Sequence, residues 1–368
     1  MGNTNLNTAK KLKFDEFYTQ YRDIEKEINA YLDLNPKVFQ NKTILLPCDD
    51  PEWSNFTKYF AQNFQKLGLR KLISTSYAPN SKSKELLYQP SLFEQNDPQF
   101  DQIKSKSKGK IFILQKDRNL DQKINIEDLE WNYLEGDGDF RSDEIKKLRD
   151  EADVIITNPP FSLFREFLNW ISIDKKQFVI IGSMTAITYK EVFPLIMKNL
   201  IWLGNGFQSG TAYFQSPVKR NYADGVYDDE TQLVKFGNVC WFTNIDHGRR
   251  HQPIPLMTEA DNIKFSKHKE VRGIGYRKYF NFDAIEVPFT DAIPSDFKGL
   301  MGVPMSFIEK YSPEQFEIVG NSRELAIPMA KLAKKGSFMQ GGPRFYISNE
   351  DGTYLRLFDR IVIRRLKQ

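Results

Sequence analysis

Only two cysteines occur in the 368 residues, Cys48 and Cys240. Neither belongs to a Cys-x-x-Cys pair or a Cys/His grouping, which argues against a disulfide framework and against a zinc site. No apolar run approaches the length needed to cross a bilayer. The first thirteen residues are polar and Lys-bearing, and no apolar core of a secretion signal follows them. These absences describe a reduced, cytoplasmic protein with no membrane partner and no metal. Charge is not lopsided either: 52 Lys plus Arg against 48 Asp plus Glu leaves +4, too mild by itself to imply a polyanionic partner.

What is present is a substantial core. Hydrophobic residues make up 40% and aromatics 14%, with 29 Phe and 16 Tyr, enough apolar surface to exclude a disordered chain. Most of those rings must be interior, and composition does not say which few are platforms for bases. Positive charge is clustered. Leu355 to Gln368 holds Arg356, Arg360, Arg364, Arg365 and Lys367 against Asp359 alone. Between Ile245 and Lys278 eight basic residues face four acids, and His247, His251 and His268 all fall there. Such clusters are the footprint of a phosphate-backbone binder, or else solvated surfaces.

The pattern along the chain predicts an α/β fold. Residues 1–13 read as a loose polar arm. Tyr21, Ile24, Ile28 and Tyr31 have helical spacing. Residues 43–46, stopped by Pro47, read as a buried strand, 53–67 as a helix and 71–74 as a second strand. That alternation is the rhythm of a parallel sheet. Residues 80–110 break it with Ser/Lys clusters and two prolines, an exposed insertion. Strands at 110–114, 153–157, 177–181 and 200–203 resume it, with helices at 161–171 and through 191–197. Beyond Gly204 the texture turns to glycine-rich polar loops with one clear strand, 238–245. The tail at 354–364 alternates apolar and basic residues and predicts a half-exposed strand. The expected division is a catalytic domain over 14–203 and a second, specificity region over 204–368.

Chemistry concentrates in Val154-Ile155-Ile156-Thr157-Asn158-Pro159-Pro160-Phe161: an apolar strand, then a polar residue, two prolines and an aromatic, then a helix. Sites in open α/β sheets lie at the carboxyl ends of strands, where this string falls. The N6 amine of adenine is a poor nucleophile because its lone pair is delocalised into the ring. The Asn158 side-chain carbonyl and the Pro159 backbone carbonyl can each accept one of its N–H groups. Together they favour a pyramidal nitrogen aimed at a methyl donor, electrostatic preorganisation joined to orientation. No strong base is required, since the attacking amine is neutral and loses its proton late. Pro159 and Pro160 stiffen the turn, and Phe161 offers a flat face to an extruded base. The plain alternative is a Pro-Pro turn ending a strand over a buried Phe.

Longer strings accompany that motif: Asp15-Glu16-Phe17-Tyr18-Thr19-Gln20-Tyr21, Cys48-Asp49-Asp50-Pro51, Gly136-Asp137-Gly138-Asp139-Phe140-Arg141-Ser142, Thr157 to Arg165, Ala186 to Pro194, and Met301-Gly302-Val303-Pro304 with Pro313 to Glu317. Through them the chain resembles the EcoRI-type adenine-specific DNA methyltransferases over nearly its whole length. The resemblance implies a Rossmann-like methyltransferase fold with a C-terminal target-recognition region and S-adenosyl-L-methionine as methyl donor. It implies double-stranded DNA as substrate in restriction–modification, with a cognate restriction endonuclease as partner. Phe17, Tyr18 and Thr19 fall where the methionine end of the cofactor is held; Thr19 would seat its carboxylate or serve only as an N-cap. Cys48, Asp49 and Asp50 fall in the cofactor motif, here without a Gly-x-Gly turn. Asp49 or Asp50 would accept from the cofactor ammonium, and Cys48 reads better as a small buried hydrophobe. Asp139 and Phe140 match the acid and aromatic that meet the cofactor adenine, or else form a turn built on Gly136 and Gly138. Asn158 serves both catalytic and cofactor sets. Ser74-Thr75-Ser76-Tyr77 offers no acid for the ribose. The loop from Gly206 to Gly210 could approach a groove, and Arg249 and Arg250 are the candidates for phosphate or guanine contacts, or ordinary surface charges.

Three other readings compete. The target could be RNA or protein glutamine, whose amide such a motif also serves. A restriction endonuclease would need carboxylates and a lysine around a divalent metal, and Asp174-Lys175-Lys176 is the nearest approach. A non-catalytic DNA-binding module is the third, against which the intact Asn158 stands.

Overall fold

The computed structural model describes residues 18–49, 54–78, 98–207, 211–215 and 225–366. The polar arm, Phe17, Asp50 and residues 80–97 of the expected insertion lie outside them. The chain forms two compact units, one of Met1–Val192 with Leu200–His247, the other of Phe193–Asn199 with Gly248–Gln368.

The first unit begins with β1 (Tyr18–Thr19) and α1 (Tyr21–Leu34), whose buried residues Ile24, Glu27, Ile28 and Tyr31 share one face. β2 (Thr43–Leu46) is buried throughout. Ser54 caps α2 (Asn55–Gln62), its Oγ accepting from Phe56 N at 3.1 Å. Then come β3 (Lys71–Ser76), β4 (Lys110–Leu114), β5 (Glu130–Tyr133), α3 (Asp143–Glu151), β6 (Val154–Thr157), α4 (Phe164–Ile171) and β7 (Gln177–Ser183). After α5 (Phe193–Met197), which belongs to the second unit, follow β8 (Trp202–Leu203), β9 (Thr211–Gln215), β10 (Tyr227–Asp228), β11 (Leu233–Gly237) and β12 (Val239–Thr243).

An eight-stranded mixed sheet has the order β5-β4-β3-β2-β6-β7-β12-β8. Its centre, β3, β2, β6 and β7, is parallel, and β4 and β12 flank it antiparallel. Continuous apolar runs such as Val154-Ile155-Ile156 suit strands covered on both faces. From β2 the chain proceeds to its neighbour on one side, β3, and from β6 to its neighbour on the other, β7. The strand order therefore reverses between β2 and β6.

A second sheet of the first unit, β1-β9-β11-β10, is antiparallel. It corrects the expectation of polar loops beyond Gly204, because β9 and β11 alternate buried and exposed residues. The units do not divide near Gly204 either. β12 pairs with β7, Val239 opposite Ser183, and β9 pairs with β1, Phe214 opposite Thr19, so 200–247 belongs with the first unit.

The second unit holds α6 (Glu259–Phe265), β13 (Ile285–Glu286), β14 (Met301–Pro304), β15 (Phe316–Asn321), the hairpin of β16 (Tyr346–Ser348) and β17 (Tyr354–Arg356), and β18 (Arg360–Arg365). Its larger sheet has the order β13-β14-β18-β15. The basic tail is thus two strands rather than one half-exposed strand. β18 lies between β14 and β15, with Ile361, Val362 and Ile363 fully buried, because consecutive apolar residues fill both faces of an interior strand.

Candidate active site

Where strand order reverses, loops leave in opposite directions and a crevice opens at the carboxyl ends. Asp49, just after β2, and Asn158, just after β6, flank that reversal. Asp49 is buried. One carboxylate oxygen accepts from Ser54 Oγ at 2.7 Å and the other from Thr157 Oγ1 at 2.6 Å. Its backbone N donates to Thr75 O at 3.1 Å, and its carbonyl accepts from Ser74 Oγ. One acid thus ties β2, β3, β6 and the start of α2 together, beside the half-buried Asn158. Bonds from three separate segments converge on this one buried residue, so the frame under the motif is stiff.

The motif makes a tight corner. Leu163 N donates to Pro160 O at 2.9 Å, closing a 3₁₀ turn that leads into α4. No described residue donates to the Pro159 carbonyl. The corner is held from below by Phe164, whose ring packs on Gly182 of β7. A Cβ there would come within 2.3 Å of the ring, so only glycine fits. Phe161 is half-buried and meets Phe214 and Phe236 edge-on, with centroids 6.4 and 6.3 Å away.

Phe214 stands opposite Thr19 across β1 and β9. The Thr19 carbonyl accepts from Asn55 Nδ2 at 2.8 Å, which joins β1 to the helix that Ser54 caps. Thr19 Oγ1 is buried and has no hydrogen-bond partner among the described residues. It is not an N-cap: Gln20 holds that position of α1, without a side-chain cap. A buried hydroxyl without a partner costs desolvation free energy unless a ligand supplies one.

The loop of Asp139 and Phe140 packs against the end of β3. Gly138 has φ +86°, and a Cβ on it would lie 2.2 Å from Ser76 O. Ala78 N donates to Asp137 O at 2.7 Å. Arg141 grips the Asp139 carboxylate through Nε at 2.9 Å and Nη2 at 2.6 Å, which holds its pKa below the usual range. Phe140 is buried, 5.1 Å from Phe167 and 5.7 Å from Trp170. The structure gives it to the core. Cys48 is half-buried rather than buried.

Other expected residues fall elsewhere. Arg250 is interior, 9% exposed, and its Nη2 donates to Asn199 Oδ1. In the described structure its guanidinium is turned inward, onto Asn199. Arg249 is half-buried in the turn Gly248–His251. The root of the Gly206 loop is fastened: the buried Glu27 accepts from Asn205 N and Gly206 N, each at 3.0 Å, and from Tyr31 Oη. Residues 208–210 lie outside the described residues. His247 Nε2 lies 2.9 Å from Leu203 O, His251 pairs with Glu314 and His268 with Asp291. Asp174-Lys175-Lys176 precedes β7, at the opposite end of the strand from the corner, where Lys176 Nζ donates to the carbonyls of Asp150 and Ala152. Among the described residues no three His, Cys, Asp or Glu gather as a metal site. No helix there is long and apolar enough to cross a membrane.

Sequence reasoning did not single out Ser54 and Asn55, or the Thr157 hydroxyl as a partner of Asp49. Ser54 carried one signal, a serine just ahead of an amphipathic helix.

The α/β fold, with its polar corner where strand order reverses, is of a class that comparison with known proteins defines closely. Type II methyltransferase M.EcoRI of Escherichia coli is 39% identical over 317 residues, 85% of this chain and 88% of that one. Type II methyltransferases M.MpnI of Mycoplasma pneumoniae and M.MgeORF184P of Mycoplasma genitalium are 31% and 32% identical over 89% of this chain and 88% of each of theirs. No solved structure matches. The family described as adenine-specific methyltransferase EcoRI matches residues 5–366, and the chain belongs to it. It is a methyltransferase specific for adenine.

Proposed function

We propose that the protein is a site-specific DNA adenine-N6 methyltransferase. It moves a methyl group from S-adenosyl-L-methionine to an adenine flipped out of duplex DNA, as the modification enzyme of a restriction–modification system. The first unit is then a Rossmann-like methyltransferase fold and the second a target-recognition region. A restriction endonuclease acting at the same sequence would be its partner, in the cytoplasm. The observation that carries the reading is the corner itself: Asn158, an unengaged Pro159 carbonyl and Phe161 stand together at the strand-order reversal.

The residues present fit the cofactor, since Thr19 Oγ1 is a buried polar atom awaiting a partner. Tyr18 and Thr19 would hold its methionine end, and Phe17, Cys48 and Asp50 belong to the same proposed cofactor set. Asp139, kept ionised by Arg141, has lone pairs left for the adenine amine. Asp49 is better placed as the brace of the corner than as a ligand. When bound, S-adenosyl-L-methionine supplies an electrophilic methyl group on a positively charged sulfur.

The chain's own part is orientation. The Asn158 Oδ1 and Pro159 carbonyls accept the two N–H groups of the target amine and draw its lone pair out of the ring. Phe161 stacks on the base, which has left its duplex neighbours at a cost of a few kcal/mol. Two prolines keep the acceptors from relaxing away as charge develops on nitrogen. Sequencing DNA from cells that express the protein should find N6-methyladenine in a single sequence context. Asn158→Ala should lower methyl transfer by about 10²–10³-fold or more while DNA binding persists. Label transferred to RNA or protein instead, or an active Asn158→Ala enzyme, overturns the reading.

A further inference from the structure

Two of the strings that distinguish the chain have no part in the corner: the end of Thr157 to Arg165, and Ala186 to Pro194. They meet in the structure. Arg165 stands in the first turn of α4, four residues beyond Phe161, and is exposed. Its guanidinium carbon lies 5.4 Å from the centroid of the Tyr189 ring. Tyr189 ends the 3₁₀ turn Met184–Thr188, which leaves the carboxyl end of β7 beside β6.

That turn is well fastened. Tyr189 N donates to Ala186 O at 2.9 Å, Val192 N to Tyr189 O at 3.0 Å, and Thr188 Oγ1 to Thr185 O at 2.9 Å. The backbone that carries the tyrosine ring is therefore held in place. Neighbouring arginines are engaged by acids: Arg141 by Asp139 and Glu166, Arg149 by Asp150. Arg165 has no carboxylate partner among the described residues. A guanidinium held over an aromatic ring by a cation–π contact, with no carboxylate to neutralise it, is prepared for bidentate binding of a phosphate.

We propose that Arg165, positioned by Tyr189, binds a backbone phosphate of the target strand next to the flipped adenine and so brings the base into register with Asn158. This rests on the duplex-DNA reading of the corner. Lysine could supply the charge but not a planar fork of donors, so arginine adds geometry to attraction.

The test uses the full chain with duplex DNA that the wild type methylates. Arg165→Ala should raise KM for DNA by about ten- to a hundred-fold, the loss expected for a charged hydrogen-bonded contact, with a smaller fall in kcat. The slope of log affinity against log salt should fall by about one. Arg165→Lys should recover the salt slope but only part of KM, and Tyr189→Leu should raise KM less than Arg165→Ala. Methylphosphonate replacement of the phosphates flanking the target adenine should erase the difference between wild type and Arg165→Ala. If wild type methylates DNA while Arg165→Ala keeps its KM and salt slope, the phosphate contact is wrong and the corner stands. If wild type methylates no DNA, both fall.

Discussion

The strand-end corner of the first unit and the arginine-rich tail of the second treat their polar groups in opposite ways. In the corner Ser54 and Thr157 both donate to Asp49, yet Thr19 Oγ1 and the Pro159 carbonyl are left without donors or acceptors from the described chain. In the tail Asp359 is shared by Arg323 and Arg344 of preceding segments at 2.7 and 3.0 Å, and Arg360 meets Glu286 at 2.6 Å. Tyr279 Oη also donates to Glu286, and Arg356 Nη2 donates to Gly342 O at 3.0 Å. Of the tail charges that suggested a phosphate footprint, Arg356, Arg360 and Arg364 are engaged within the second unit itself. A charge tally along a sequence therefore says little about a binding face. Uncommitted valences in a stiff frame say more.

The largest effect that could break this contrast is in the tail. Glu286→Ala would strand Arg360, whose side chain is 12% exposed, and remove the partner of the Tyr279 hydroxyl. Removing one member of a buried pair costs about 3–5 kcal/mol, so denaturant unfolding should show a loss of that order. Weakened DNA binding at unchanged stability would mean that Arg360 serves a ligand after all.

A smaller effect belongs to the corner. Thr157→Val removes the donor at 2.6 Å from Asp49, and a buried acceptor short of one bond costs about 1–3 kcal/mol. Methyl transfer should fall about tenfold or more, and Thr157→Ser, which keeps the hydroxyl, should restore it. Full activity in Thr157→Val would reduce the Asp49 frame to packing.

The smallest effect asks whether the first unit also contains a buried acid of the tail's kind. Burial pushes the Glu27 carboxyl above its ordinary 4.5, although Tyr31 and the backbone of Asn205 and Gly206 pull it down. A raised folded pKa means that the native state keeps a proton the unfolded chain has lost. Its contribution to stability is full below 4.5 and is lost as pH rises through the folded value. The melting temperature of wild type relative to Glu27→Gln should accordingly decline across that window. A flat difference would show that the backbone donors fully compensate the charge.

Much of this was legible in local chemistry. Unbroken apolar runs such as Val154-Ile155-Ile156 announce strands buried on both faces, and Ile24, Ile28 and Tyr31 announce a helix, because side-chain periodicity reflects backbone geometry directly. Asn-Pro-Pro-Phe was legible for a similar reason: two fixed φ angles dictate the corner wherever the string is placed. Long-range pairing was not legible. Thr157 finds Asp49 from 108 positions away, and β1 becomes a strand only because β9 comes to lie beside it. Arg250 sits in a basic run, and only the folded second unit turns it towards Asn199. Rigid local residues carry their geometry with them; which polar groups are satisfied, and which are left waiting, is settled by partners that only folding brings within reach.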